Sequence, residues 1–147
     1  MTLRMPQRAA DIRAIAITLR VREKNALFIL LAADGAINRL GTGSVRNTEN
    51  DMFIGQTTEP LFEQVRATFH DEMLGMTGGY DVPNQKGKPC VLDILLRFAD
   101  GTEDGFRFSY GSKSQGPPGE IVNVVMRAVE VTEPWFERQK AMVRAQR

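Results

Sequence analysis

A chain of 147 residues, 42% hydrophobic and 25% charged, has ordinary globular composition and falls in the size range of one domain, expected to span 1–147 with frayed tails at 1–10 and 144–147. A domain this long buries roughly 70% of its unfolded-chain surface without a disulfide or structural metal, and with one cysteine, Cys90, and one histidine, His70, an internal disulfide and zinc-type ligand spacing are both excluded. The net charge of +1 hides basic ends, +4 over residues 1–24 and +4 from Arg138, Lys140, Arg144 and Arg147, around a body of −7.

The opening "MTLRMPQRAADIR" carries positive charge but no following apolar segment of signal-peptide length, and no apolar run is long enough to span a bilayer. A cytoplasmic protein without a membrane segment is expected. From Asp11 to Arg22, Ile15, Ile17, Leu19 and Val21 alternate with smaller or polar residues, the period-two pattern of a strand with one buried face. Glu23 to Asn25 then form a tight connection into the apolar run Leu27 to Leu31. Asp34-Gly35 is a strong hairpin signal, with a return strand through Ile37 and Leu40 ending at Gly41 to Ser44. After an irregular stretch, Leu61, Phe62, Val65, Phe69 and Met73 recur at helical spacing behind Thr58-Glu59-Pro60, predicting an amphipathic helix.

Gly75 to Pro89 holds too much glycine and proline for either element and reads as a long loop. A second hairpin pairs Val91 to Phe98 with Gly105 to Tyr110 around Asp100-Gly101, placing Phe106, Phe108 and Tyr110 on one face, where they are expected to pack beneath a helix that carries Trp135. Two further helices follow. In the first, Asn123, Arg127 and Glu130 form a narrow polar stripe; the second opens at Thr132-Glu133-Pro134 and puts Trp135, Phe136, Gln139, Met142 and Val143 on one helical face. The predicted fold is therefore α+β, an antiparallel sheet of about five strands (two β-hairpins plus an N-terminal strand) with about three helices packed on one face.

The halves share an order of Asp-Gly hairpin and Thr-Glu-Pro helix start. The turn glycine and the threonine are 23 residues apart in the first half and 31 in the second. Common turn and cap chemistry explains the resemblance more cheaply than duplication.

Few residues carry a chemical signal. His70 is the natural acid-base candidate, yet on a helix its neighbours are Arg66 and Leu74 rather than Asp71 and Glu72, so it reads as a surface residue near a helix end. Cys90 begins an apolar strand, as a small buried residue would. Tyr110 to Ser114, "YGSKS", lacks phosphate-loop spacing and leaves only a weaker anion site around Lys113. Asp100, Glu103 and Asp104 lack the spacing of a calcium loop. No family motif is matched over a useful length, and no RNA-type aromatic pair accompanies the basic ends, so nucleic acid is not expected as a partner.

No catalytic set, metal site or cofactor site emerges. The expectation is a non-catalytic protein-interaction module, such as an adaptor, an immunity-type inhibitor or a regulatory subunit. The alternative is a small-ligand or anion-binding domain, and the third choice a hydrolase using His70. The partner is an unidentified protein, with Met76, Tyr80, Asp81 and Lys113 as the expected contact residues, because amphipathic aromatics and flexible thioethers suit recognition. A homodimer is also expected, through the first strand if it lies at a sheet edge, against the discouragement of Arg13, Arg20 and Arg22.

Overall fold

The computed structural model describes residues 7–42 and 52–146. Parts of both expected tails, and the end of the first hairpin at residues 43 and 44, lie outside the described residues. Strands β1 (Ile12–Val21), β2 (Lys24–Ala32), β3 (Ala36–Leu40) and β4 (Met52–Gln56) precede helix α1 (Leu61–Arg66) and a 3-10 helix, Asp71–Met76. Then come β5 (Gly78–Asp81), β6 (Pro89–Phe98), β7 (Glu103–Gly111) and the long helix α2 (Gly119–Ala145). The strands form one seven-stranded sheet in the order β4-β3-β2-β1-β6-β7-β5, antiparallel except where β5 runs parallel to β7.

The sheet thus has seven strands, not five. The two additions fall where the sequence gives weak signals: β4 lies in the stretch read as irregular, and β5 inside the stretch read as a loop, masked by Gly78 and Gly79. The first strand is also not at an edge. β1 is hydrogen-bonded along both sides, to β2 and to β6, which removes the edge-pairing route to a dimer.

Turn chemistry sets the hairpins. β1 and β2 join through Arg22 and Glu23, both at positive φ (51° and 68°), the geometry whose twist matches the flanking strands. The two Asp-Gly turns share their central hydrogen bonds. Gly35 and Gly101 sit at φ 95° and 84°. Each glycine N–H donates to a carbonyl three residues back, of Ala32 or Phe98. Each aspartate carboxylate accepts the N–H two residues on, from Ala36 or Thr102, at 3.0 Å.

One side of the sheet is covered. Ile15, Ile17, Leu27, Ile29, Leu31, Ile37, Leu92, Ile94, Leu96, Phe106 and Phe108 join Leu61, Val65, Phe69, Met73, Ile121, Val124, Ala128 and Trp135 in one core. The helices divide differently from the sequence pattern. The first predicted helix ends at Arg66 and resumes only as the 3-10 helix, while the last two fuse into one helix running through Pro134. Trp135 does not lie over the Phe106–Tyr110 stripe. Its ring lies against Gly55 on β4, where a Cβ would come within 2.9 Å of it, at the opposite end of the sheet from β7.

α2 is fastened from below by Arg39, the largest fully buried side chain, with 0% exposure. Its guanidinium donates to the Gly41 carbonyl (3.0 Å), to the Thr132 hydroxyl (2.9 Å) and to the Glu133 carboxylate (3.0 Å), and its carbon lies 4.5 Å from the Phe136 ring centroid. A charge this deep is tolerated because its donors are met and an aromatic face lies beside it.

Candidate functional site

The second side of the sheet carries none of these helices. Strand register arranges most of its side chains in three rows across the sheet from β4 to β7, with Arg20, Val91 and Ser109 continuing beyond them. The middle row runs Ile54, Asn38, Leu30, Ala16, Leu95, Gly105. The row on one side of it runs Met52, Leu40, Phe28, Thr18, Asp93, Arg107, and the row on the other side Gln56, Ala36, Ala32, Ala14, Arg97, Glu103.

The half of this face from β4 to β1 is uncharged in these rows and mostly apolar, with Gln56, Asn38 and Thr18 as its polar members, and the β6–β7 half is charged around Leu95. Ile54 is 74% exposed and Leu95 47%, whereas Leu40, although on this side, is buried. Leu95 stands between two hollows, one of about 220 Å³ bordered by Ala14, Ala16, Leu30 and Ala32, the other of about 590 Å³ bordered by Thr18, Phe28, Gly105 and Arg107. Small residues on either side of a large one make a ridge and its grooves.

Every charged side chain in the three rows is paired within the chain. Asp93 receives two bonds from Arg107, the shorter 2.6 Å, and lies 3.8 Å from Arg20; Arg97 meets Glu103 at 3.1 Å. The bond to Asp93 raises the Arg107 pKa further above its already high ordinary value. The face offers three guanidiniums and two carboxylates, so neither sign dominates.

The residues expected to make contacts lie elsewhere, along the β5 edge. Tyr80 stacks on Phe108 with ring centroids 5.1 Å apart, and its hydroxyl donates to the Met76 carbonyl. Met76 and Asp81 are exposed. Lys113 follows the far end of β7 and donates its backbone N–H to the Lys86 carbonyl at 2.9 Å, so the connection after β5 joins its neighbourhood to that edge. Tyr80 is thereby oriented on a strand while remaining 43% exposed.

The remaining candidates have structural partners. His70 is exposed and precedes the 3-10 helix instead of lying on α1, so the expected helical neighbours Arg66 and Leu74 do not apply; its backbone N–H contacts the Met73 sulfur at 3.4 Å. Cys90 is buried on the core side, where burial pushes its thiol pKa up and its sulfur donates to the Lys88 carbonyl. In "YGSKS", Ser114 bonds both backbone groups of Gly111, and Ser112 accepts the Lys88 N–H at 2.8 Å, so the stretch is a clasp around the end of β7. Burial pushes the neighbouring Tyr110 hydroxyl up to about 12. The acidic turn disperses its carboxylates: Asp100 to Thr102 and Gln7, Glu103 to Arg97, and Asp104 to Thr77. Among the described residues no group of three or more His, Cys, Asp or Glu side chains could hold a metal ion. Nor is any helix there long and apolar enough to cross a membrane.

A cleft that the sequence did not reveal opens at the end of the molecule that holds the Asp34-Gly35 turn. About 590 Å³ in volume, it is bordered by Arg13, Ala36, Phe62 and Arg66 and by the carboxylates of Glu59 and Glu63. Arg66 grips Glu63, and this bond, reinforced by the charges of Arg66 and Arg13, holds the Glu63 carboxyl below its usual range. Arg13 spends one nitrogen on the Ala10 and Ile12 carbonyls.

The chain has no significant match among protein-family models, curated proteins or solved structures.

Proposed function

We propose that the protein is a non-catalytic interaction module whose working surface is the helix-free side of the sheet. One observation carries this reading: the apolar half-face of Ile54, Leu30, Phe28 and Ala16 continues to Leu95, with no helix over it among the described residues. An apolar surface rimmed by paired charges resembles an interface before its partner arrives. On the β5 edge Gly78 lines the larger hollow of this face and Asp81, paired with Ser109, lies on the same side, whereas Tyr80, paired with and stacked on Phe108, lies on the helix side.

The test is a benzophenone amino acid placed at position 95, and separately at 126 on the exposed side of α2, with irradiation in living host cells. Covalent adducts from position 95 and none from 126 are expected. Their absence at 95 would refute the reading.

The Arg13 cleft favours a second reading, an anion-binding domain. Its lining of Ala33, Ala36 and Phe62 and the Arg13 guanidinium, which shares the cleft with Glu59 and Glu63, suit a carboxylate with a short apolar tail that competes with these side chains for Arg13. A thermal-shift screen of such carboxylates, lost on Arg13→Ala, checks it.

A further inference from the structure

We infer that the helix-free face seats a second copy of this chain, face to face, about a two-fold axis lying along the middle row from Ile54 to Gly105; this rests on the reading of that face as an interaction surface. A two-fold interface must be self-complementary, each patch meeting its own image. An axis along the middle row, perpendicular to the strands, lays each residue of one outer row on a residue of the other outer row of the second copy.

The pairs that result are consistent from strand to strand. Phe28 meets Ala32 of the second copy and Thr18 its Ala14, a larger side chain against an alanine each time, while on β4 Met52 meets Gln56 and Leu40 is already buried within the chain. On the charged half, Asp93 meets Arg97 of the second copy and Arg107 meets its Glu103. Every charge in the outer rows therefore gains an opposite charge across the interface beside the one it has within the chain. In the middle row Leu95 and Leu30 meet their own images, and so does Asn38, whose amide both donates and accepts.

An axis parallel to the strands and through β1, which would overlay as much of the face, does not give this. It sets Leu95 over Leu30 of the second copy but places Asp93 and Arg97 over the apolar Phe28 and Ala32, burying charge on hydrocarbon.

The three rows cross six strands, about 24 Å at about 4.8 Å spacing, and span about 14 Å along them, a patch smaller than the roughly 800 Å² per partner of a standard interface and in keeping with a reversible dimer. The charge balance selects the occupant: three guanidiniums already facing two carboxylates suit a copy of the same pattern better than a polyanion or an anionic bilayer, which need a surplus of positive charge.

Sedimentation equilibrium on the full chain at micromolar concentration tests this. The expected mass is twice the 16.4 kDa of one chain. Leu95→Arg sets two guanidiniums against each other at the axis and should raise the dissociation constant about 30-fold or more, the scale of a central interface residue. Arg97→Glu, which faces Asp93 of the second copy, should raise it about 10-fold, and Met126→Arg on the outer side of α2 should leave it unchanged. Circular dichroism identical to the parent shows that each variant is folded; should Leu95→Arg not fold, the exposed Arg97→Glu carries the test. A parent that is monomeric throughout, a dimer untouched by both face variants, or one broken by Met126→Arg overturns the inference. A monomer that still gives adducts from position 95, of mass other than two chains, overturns the second copy alone; a monomer without adducts overturns the interaction surface as well.

Discussion

The triplet Thr-Glu-Pro occurs twice, and the two copies do opposite things. Thr58-Glu59-Pro60 is exposed and stands ahead of the six-residue helix α1, with the Glu59 N–H bonded to the Thr57 hydroxyl and the Gln64 N–H to the Pro60 carbonyl. Thr132-Glu133-Pro134 lies deep in the 27 residues of α2. The second proline removes the hydrogen bond to the Glu130 carbonyl and belongs, on local grounds, at a helix start. The helix continues because of what surrounds it. Thr132 is fully buried, donating to the Ala128 carbonyl and accepting from Arg39; Glu133 takes a second Arg39 bond; Trp135 and Phe136, just beyond the proline, are buried against Gly55, Phe53 and Arg39. Local grammar proposes a boundary, and tertiary contacts decide whether the chain uses it.

The contrast can be broken most strongly at Arg39. Arg39→Ala leaves the Gly41 carbonyl and the Thr132 hydroxyl without their donor and empties a fully buried site, so chemical denaturation should show a loss of about 3 kcal/mol or more. Its counterpart near the first triplet, Arg138→Ala, breaks only the exposed pair with Glu59, 3.2 Å apart, and should cost at most about 1 kcal/mol. Thr132→Val keeps the shape and deletes the hydroxyl, with an expected loss of about 1–2 kcal/mol in the same denaturation measurement, against about 0.5 kcal/mol or less for Thr58→Val. The prolines sharpen the comparison with the smallest change and the opposite sign. Pro134→Ala should raise the melting temperature, with a gain of about 1 kcal/mol, because a helix interior prefers alanine; Pro60→Ala should stay within about 0.5 kcal/mol.

The same division between local and distant causes decides what could be read from the sequence. β1, β2, β3, β6 and β7 follow from alternation and Asp-Gly turns, which act over a few residues. β4 offers only five residues around Gly55, and β5 begins with two glycines, so neither has a pattern to see; both exist because a neighbouring strand supplies the hydrogen bonds. The fusion through Pro134 depends on a side chain more than ninety positions away.

The candidate face left a trace that local reading passed over. Leu27 to Leu31 is a continuous apolar run where a strand with one wet face should alternate, and Leu95 interrupts the polar positions of β6 in the same way. A strand apolar on both sides needs something on both sides. Met76 and Tyr80, read as contact residues in a long loop, are both exposed; Tyr80 lies on an edge strand with its ring on Phe108 and its hydroxyl bonded to the Met76 carbonyl.

The central place of β1 also governs the order in which the protein can assemble. Its hydrogen bonds to β2 close across a two-residue turn, but its other side waits for β6, whose register partners run from Cys90 to Phe98. During synthesis at ~5–20 residues per second, that side is left without its own strand for a time on the order of seconds. For that interval the most apolar strand pair of the molecule is a sheet edge, open to pairing with the wrong chain. The β6–β7 hairpin, closed early by Asp100-Gly101, then arrives as a preformed unit and converts that edge into the middle of the sheet.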